Sequence, residues 1–209
     1  MTTSNNSVVA ETKVRVSDPT ALGVFGLAMV TLVASSSKLG WTTGTAYIIP
    51  WAIMLGSLAQ IWAAKMDFKN NNYFGAIVLG VYGLFWMAVA IHWAIGLGWL
   101  GDVGPLADVT QIGFAYFGYF VFSVFITVAA CEMNKTFAAI LVLIDVLFIC
   151  LGLSAVGVAA GIFSHLAAYA EFGISLLGFY ACGSIFLNNF FGRQVLPLGA
   201  PFGFIKKAA

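Results

Sequence analysis

Long apolar runs alternate with short polar connections along the chain. Six runs are long enough to cross the hydrocarbon core of a bilayer, which takes about 20 mostly apolar residues in a helix. They cover approximately Pro19 to Ser37, Ala46 to Ala64, Tyr73 to Leu97, Ile112 to Ala130, Phe137 to Phe163, and Leu166 to Leu187. Apolar residues are continuous within each run, which favours helices over the alternating strands of a membrane barrel. The pattern predicts an all-α integral membrane protein with six transmembrane helices per protomer.

The overall composition supports this prediction. Of the 209 residues, 61% are hydrophobic and 8% are charged, whereas an average soluble domain has about 25% charged residues. The connections between the runs are too short to hold a soluble domain. We therefore expect a polar N-terminal tail at residues 1–17, one transmembrane domain at residues 18–191, and a C-terminal tail at residues 192–209.

The basic residues predict the orientation in the membrane. Cytoplasmic loops carry an excess of Lys and Arg. With six spans, eight of the nine basic residues fall on one side, and Lys38 is alone on the other. The eight are Lys13, Arg15, Lys65, Lys69, Lys135, Arg193, Lys206 and Lys207. The distribution predicts a multi-pass protein of the cell membrane with both termini in the cytoplasm.

Asp18 and Pro19 stand directly before the first apolar run. An acid suits the N-cap of a helix and proline suits the first helical position, where its missing N–H is not needed. The pair therefore predicts a helix start. A helix N-terminus can also present amides and a positive dipole end to an anion, although the charge of Asp18 would oppose that anion.

Polar side chains within the runs are candidates for a solute pathway. Gln60, Trp86 and Asn188 offer hydrogen-bond donors on otherwise apolar helices; the alternative is hydrogen bonding between helices. Asp145 and Glu171 lie inside spans, and an acid at that depth is a candidate proton relay. For both acids the alternative is a protonated or paired group at a helix or subunit interface.

Several other classes of protein are disfavoured by the sequence. The basic residues are scattered, so a nucleic-acid partner is not expected. No His-rich motif, phosphate-binding loop or Ser/His/Asp set is present, so we expect neither an enzyme nor a resident cofactor. His92 and His165 lack companion ligands, so no metal site is predicted.

Four stretches resemble a known family, the acetate uptake transporters, also described as succinate-acetate permease-like. "DPTALGVFG" resembles the signature "NPAPLG", and "GSLAQIWAA" resembles "GGxAQxxAG". "FGAIVLGVYGLFW" carries "FG" and "YGxFW", and "LNNFFGRQVLPLG" carries "FGRxVLPxG". The matches occur in the family's order between residues 18 and 199. Two departures are Asp18 in place of the signature asparagine and Ala21 in place of its second proline.

The resemblance implies a six-helix protomer, a hexameric homo-oligomer, and a pathway for small monocarboxylates or dicarboxylates through each protomer. Acetate, and succinate in some members, would move in a proton-linked manner; a passive anion or small-solute channel is the alternative. The family's apolar constriction, carried over through the motifs, corresponds to Leu27, Tyr82 and Ile144. Leu27 replaces an aromatic residue there.

Overall fold

The computed structural model describes residues 17–101, 103 and 108–205. Within these residues, six helices are long and apolar enough to cross a membrane. They are α1 (Thr20–Lys38), α2 (Ile48–Lys69), α3 (Tyr73–Gly96), α4 (Thr110–Cys131), α5 (Lys135–Ala155) and α6 (Ala160–Phe191). The predicted all-α fold with six membrane-spanning helices is therefore confirmed. Most of the predicted N-terminal tail and residues 206–209, including Lys13, Arg15, Lys206 and Lys207, lie outside the described residues.

Two of the helix starts are fixed by asparagine caps. The side chain of Asn72 accepts a hydrogen bond from the amide of Gly75 at the start of α3, at 3.2 Å. Asn134 does the same for Phe137 at the start of α5, at 2.9 Å. Each cap satisfies an amide that has no partner within its own helix, so the short turns before α3 and α5 are set by the local sequence.

The boundary between α5 and α6 differs from the prediction. The sequence suggested that the fifth span continues to Phe163, but α5 ends at Ala155 and α6 begins at Ala160. Gly157 and Ala159 have φ angles of +83° and +40° in the intervening turn. This left-handed backbone cannot continue a helix. The small residues of the turn are apolar, so hydropathy alone did not reveal the break.

The middle of α2 contains wide helical turns. Residues Ala52–Ala59 form a π-helix between two α-helical segments, Ile48–Trp51 and Gln60–Lys69. π-Helical turns are rare and occur frequently at functional sites. The sequence pattern did not predict this segment.

Close helix packing centres on α1, which lies against α2 and α6. A Cβ atom at Gly26 would collide with the carbonyl oxygen of Leu55 in the wide turns of α2. A Cβ atom at Gly178 of α6 would lie 3.0 Å from the Cβ of Ala28. Small residues at these positions let the helix backbones approach closely, which is how helices associate inside a bilayer.

The start of α1, the α2–α3 turn and the end of α6 meet at one end of the bundle. The Asn70 side chain donates to the carbonyl of Ser17 at 3.4 Å, and the Asn189 side chain donates to Asp18 at 3.0 Å. We call this the basic end, because α2 ends at Lys69 and Arg193 follows α6 there. Lys38, at the end of α1, belongs to the opposite end.

Residues 192–205 pack against the basic end instead of projecting from it. The amide of Phe202 donates to the carbonyl of Cys131 at 2.9 Å. The amides of Phe204 and Ile205 donate to the Glu132 carboxylate at 2.7 and 3.0 Å. The described part of the predicted C-terminal tail is therefore held across the ends of the helices.

The Gly26 contact yields a test of the packing. Gly26→Ala should destabilise the protein by about 1 to 3 kcal/mol, because the methyl group would overlap a backbone oxygen that has no side-chain freedom to move. Gly80→Ala is the matched control, since its methyl group would lie at an ordinary 3.6 Å from the Cβ of Ala64. Melting temperatures of both variants in detergent measure the difference. Equal melting temperatures would contradict the close approach of α1 and α2.

Candidate functional site

A small cavity lies inside the bundle between α1, α3, α5 and α6. Its volume is about 20 Å³, whereas a single water requires about 10 to 15 Å³ of such space. Nine residues line it: Leu27, Thr31, Tyr82, Phe85, Trp86, Ile144, Leu147, Phe148 and Ile174. The three positions expected at a constriction, Leu27, Tyr82 and Ile144, thus surround one cavity. Trp86, a candidate for substrate binding, also lines it.

Aromatic rings make up much of the cavity wall. Phe85 packs edge-to-face on Phe148 with ring centroids 5.0 Å apart, and on Trp86 at 5.5 Å. Tyr82 and Phe148 lie 6.0 Å apart. Each ring is fixed by contact with its neighbours. An aromatic pair of this kind contributes about 0.5 to 1.5 kcal/mol to stability beyond the burial of its surface. The wall is therefore apolar, with the Tyr82 hydroxyl among its few polar groups.

The hydroxyl of Tyr82 begins a line of polar side chains that crosses α4. It lies 2.9 Å from the Ser123 hydroxyl, and both residues are buried. Ser123 and Thr127 are four residues apart, so they share one face of α4. The Thr127 hydroxyl donates to the Asp145 carboxylate at 2.7 Å. We call Tyr82, Ser123, Thr127 and Asp145 the polar seam.

Asp145 faces α4, whereas the preceding residue, Ile144, lines the cavity. This agrees with the helical rotation of about 100° between successive residues, which allows only one of the two to point at the cavity. One carboxylate oxygen of Asp145 accepts the bond from Thr127, and the other is buried without a partner in the described part of the chain. Asp145 thus lies on the same side of α4 as Ser123, the residue whose hydroxyl meets Tyr82 of the cavity.

Gln60 is fully buried where the wide turns of α2 end. Its amide nitrogen donates to the carbonyl of Gly56 at 2.8 Å, while its amide oxygen has no partner among the described residues. The buried hydroxyl of Ser57 also lacks one there. Gln60 does not line the cavity. Its free group is an acceptor, whereas the sequence suggested a donor to a carboxylate.

Asn188 holds the segment that follows α6. Its side-chain oxygen accepts from the amides of Val195 and Leu196 at 2.6 and 3.0 Å. Its nitrogen donates to the Leu196 carbonyl at 2.8 Å and to the Ser184 hydroxyl at 3.3 Å. Both amide hydrogens are therefore used inside the protein, at the basic end and away from the cavity.

Asp18 stabilises the start of α1 in a different way from the predicted N-cap. The helix begins at Thr20, and Pro19 occupies the N-cap position because its carbonyl accepts from Leu22 and Gly23. The Asp18 carboxylate still accepts from the amide and the hydroxyl of Thr20, at 2.9 and 2.6 Å. Its second oxygen accepts from Asn189 of α6 at 3.0 Å. Asp18 therefore ties α1 to the end of α6.

Glu171 is paired with the lysine at the far end of α1. The Lys38 ammonium lies 2.8 Å from the Glu171 carboxylate. The glutamate side chain is 1% exposed and the lysine side chain 28% exposed. Glu171 is therefore a paired acid in this structure, and its partner comes from the same chain.

Several cavity residues were not found from the sequence. Thr31 follows Leu27 by four residues, Phe85 follows Tyr82 by three, and Leu147 and Phe148 follow Ile144 by three and four. Residues at these spacings share a helix face, so each could have been inferred from its neighbour. Ile174 of α6 had no such signal.

Metal binding finds no support in the part of the chain that the structure describes. No three His, Cys, Asp or Glu side chains lie close enough there to hold an ion. His92 and His165 lie on different helices, α3 and α6.

Comparisons with known proteins agree with these observations. The model of the GPR1/FUN34/yaaH family matches residues 2–199. The succinate-acetate/proton symporter SatP of Escherichia coli (strain K12) is 28% identical over 186 residues, covering 88% of this chain and 96% of that protein. Acetate permease A of Emericella nidulans is 26% identical over 182 residues, covering 77% of this chain and 61% of that protein.

A solved structure also matches the fold. The structure titled as that of the bacterial acetate channel SatP superposes with a TM-score of 0.79 at 26% identity. The match covers 88% of this chain and all of the solved chain. The six-helix arrangement is therefore shared along nearly the whole length of that protein.

The role of Asp18 can be tested by two substitutions. Asp18→Asn keeps an oxygen that accepts from Thr20 but puts an amide donor where Asn189 needs an acceptor, so its melting temperature should fall less than that of Asp18→Ala. Asp18→Ala removes the bonds to Thr20 and Asn189 and should cost about 0.5 to 2 kcal/mol of stability. Thermal unfolding in detergent compares the two variants. An equal loss in both would mean that the bonds to Thr20, which asparagine can keep, do not stabilise this end of α1.

Proposed function

Because the chain belongs to the GPR1/FUN34/yaaH family, we propose that it transports acetate across the cell membrane, with succinate as a second substrate and with coupling to protons. The protein acts as a transporter and not as an enzyme in this proposal. The names of the E. coli symporter and of acetate permease A support the substrate class. A passive acetate channel is the second candidate, because the solved structure with the same fold is described as a channel.

The observation that carries the proposal is the cavity around Leu27, Tyr82 and Ile144. These three residues come from three different helices and line the same small space. We take them as the constriction of the pathway, with Trp86 beside them as a substrate contact. Gln60 stays a candidate contact for the protonated acid, since a carboxylic acid can donate to its free oxygen. Asp18 and Asn188 would act indirectly, by fixing helix ends.

A weak acid that can be protonated would pass the apolar constriction more easily than a solute that is always ionised. An ionised group at the centre of a bilayer costs about 2.5 to 3.5 kcal/mol on insertion scales. The cavity wall offers a carboxylate little besides the Tyr82 hydroxyl. Protonation of the carboxylate removes most of the penalty, so the neutral acid would cross the ring more easily. The cavity holds about one water, and acetate is larger, so its passage requires the ring of side chains to move.

Asp145 is the proposed proton-carrying group of the constriction. Its carboxylate accepts from Thr127, which lies one helical turn from Ser123, the partner of Tyr82; its second oxygen is buried and unpaired among the described residues. A proton on Asp145 would therefore lie close to the path of the substrate.

The proposed setting is the cell membrane, with the basic end and both termini in the cytoplasm. The charge distribution supports this orientation. The chain would consist of the N-terminal tail at 1–17, the transport domain at 18–191 and the C-terminal segment at 192–209. A homo-oligomer, taken as a hexamer from the family resemblance, would use the face of α4, where Phe114, Val121 and Phe125 are exposed.

Uptake of labelled acetate into proteoliposomes tests the function. With an imposed proton gradient, the wild-type protein should accumulate acetate above equilibrium. Simple equilibration would favour the passive channel, and an absence of acetate movement would contradict the proposal. Asp145→Asn retains an oxygen for Thr127 but cannot carry a proton, so it should equilibrate acetate without accumulating it. Asp108→Asn, an exposed acid outside the helices, is the matched control.

The constriction is tested by changing Ile144. Ile144→Ala should enlarge the cavity, so that lactate competes with acetate at lower concentration than in the wild type. Ile140→Ala is the control, because Ile140 is equally buried on α5 but does not line the cavity. Both variants should lose about 2 to 5 kcal/mol of stability. Unchanged lactate competition in Ile144→Ala, in protein that still transports acetate, would remove Ile144 from the constriction.

A further inference from the structure

We propose that Lys38 and Glu171 form a second carboxylate site, at the end of the pathway opposite the basic end, in which protonation of Glu171 releases Lys38 to bind the carboxylate of the substrate. The inference rests on the proposed transport of acetate. It adds a binding site away from the constriction and gives the group that controls access to it. The ligand class is a small monocarboxylate anion.

The positions of the two residues connect the pair to the cavity. Glu171 precedes the cavity residue Ile174 by three positions on α6, so the two side chains share one face of that helix. Lys38 follows the cavity residue Thr31 by seven positions, close to two full turns, and so shares a face of α1. Both residues thus lie further along the same helix faces that line the cavity.

Lys38 differs from the other basic residues in its position along the chain. It is the one Lys or Arg between Arg15 and Lys65, and none occurs in the other connections at its end of the bundle. An anion that approaches this end therefore meets one lysine and no arginine, with His92 and His165 near the end of α3 and the start of α6. The Lys38 side chain is 28% exposed, so the lysine is not sealed inside the bundle.

The ion pair of Lys38 and Glu171 is not needed to hold α1 against α6, because other contacts join the two helices. Next to it, Trp41 packs edge-to-face on Phe172 with ring centroids 5.1 Å apart. Further along, Gly178 and Ala28 bring the same two helices into close contact. A buried ion pair adds little net stability, because both charges must first lose their water. The helices are held by other contacts, and the charges are available for another role.

Among the described residues around Glu171, Lys38 is the cation that pairs with it. From α1 it meets Lys38 directly, and from α4 Tyr116 lies within electrostatic reach. On α5, which also packs against α6, the acid Asp145 is directed toward Thr127 of α4. When Glu171 gains a proton from solution, Lys38 loses its partner and its three N–H donors become free for a carboxylate. One proton and one monocarboxylate are then held together.

The test uses the full-length protein in proteoliposomes and measures the acetate concentration for half-maximal uptake from about pH 5 to about pH 8. In the wild type this concentration should rise with pH, because ionised Glu171 retains Lys38. Glu171→Gln imitates the protonated acid, so its half-saturation should stay low across the range. Lys38→Gln should raise it about tenfold, as expected for the loss of one charge-assisted hydrogen bond. Lys69→Gln, an exposed lysine at the basic end, should behave as the wild type.

A purely structural role gives a different result. If the pair only fastens the helices, Glu171→Gln and Lys38→Gln will lower the melting temperature but leave the half-saturation and its pH dependence unchanged, and the proposal is overturned. If either single variant does not fold, the double variant Glu171→Gln/Lys38→Gln removes both charges together. Its half-saturation should be high and independent of pH; a wild-type pH profile in the double variant overturns the proposal. A wild-type protein that moves no acetate overturns the proposed function, and this inference with it.

Discussion

Close packing of α1 against its neighbours is the constraint on which the other features depend. Inside a bilayer, burial of apolar surface does not draw helices together, because lipid tails are equally apolar, so association relies on shape and small residues. Gly26 and Gly178 remove the side chains that would separate α1 from α2 and α6. The same helix supplies Leu27 and Thr31 to the cavity. A shift of α1 by the width of a methyl group would therefore change both the bundle and the pathway.

Each described acid within or beside the helices has a partner, and the partners differ in what they permit. Asp18 accepts hydrogen bonds from Thr20 and Asn189, which are both uncharged residues. Asp145 accepts from a hydroxyl, so it can gain a proton without breaking an ion pair. Glu171 faces an ammonium, so its protonation releases a charge. Asp18, Asp145 and Glu171 therefore differ in whether a proton on the acid would free another charge.

The sequence predicted the helices well where polarity changes sharply and poorly where it does not. The start of α3 at Tyr73 was predicted correctly, because three asparagines precede it. The break at residues 156–159 was missed because glycine, valine and alanine keep the hydropathy high. The wide turns of α2 at Ala52–Ala59 were also missed, because this segment is mostly apolar like the rest of its run. The family resemblance identified Leu27, Tyr82 and Ile144, but no local pattern could connect Lys38 with a glutamate 133 residues away.

The charge distribution links insertion of the chain to its transport function. Eight of nine basic residues lie on one side by the predicted topology, and a lysine on the other side works against that orientation. A buried glutamate offsets this disadvantage, since Lys38 and Glu171 together carry no net charge. The pair is neutral only while Glu171 is ionised, so the arrangement that allows a lysine at this end also makes its charge depend on a proton. A channel that merely admits an anion would need no such dependence, whereas a symporter requires the proton and the carboxylate to be held together. Under the proposed binding of the substrate by Lys38, the pairing of this lysine with a buried acid is the arrangement that coupled transport would require.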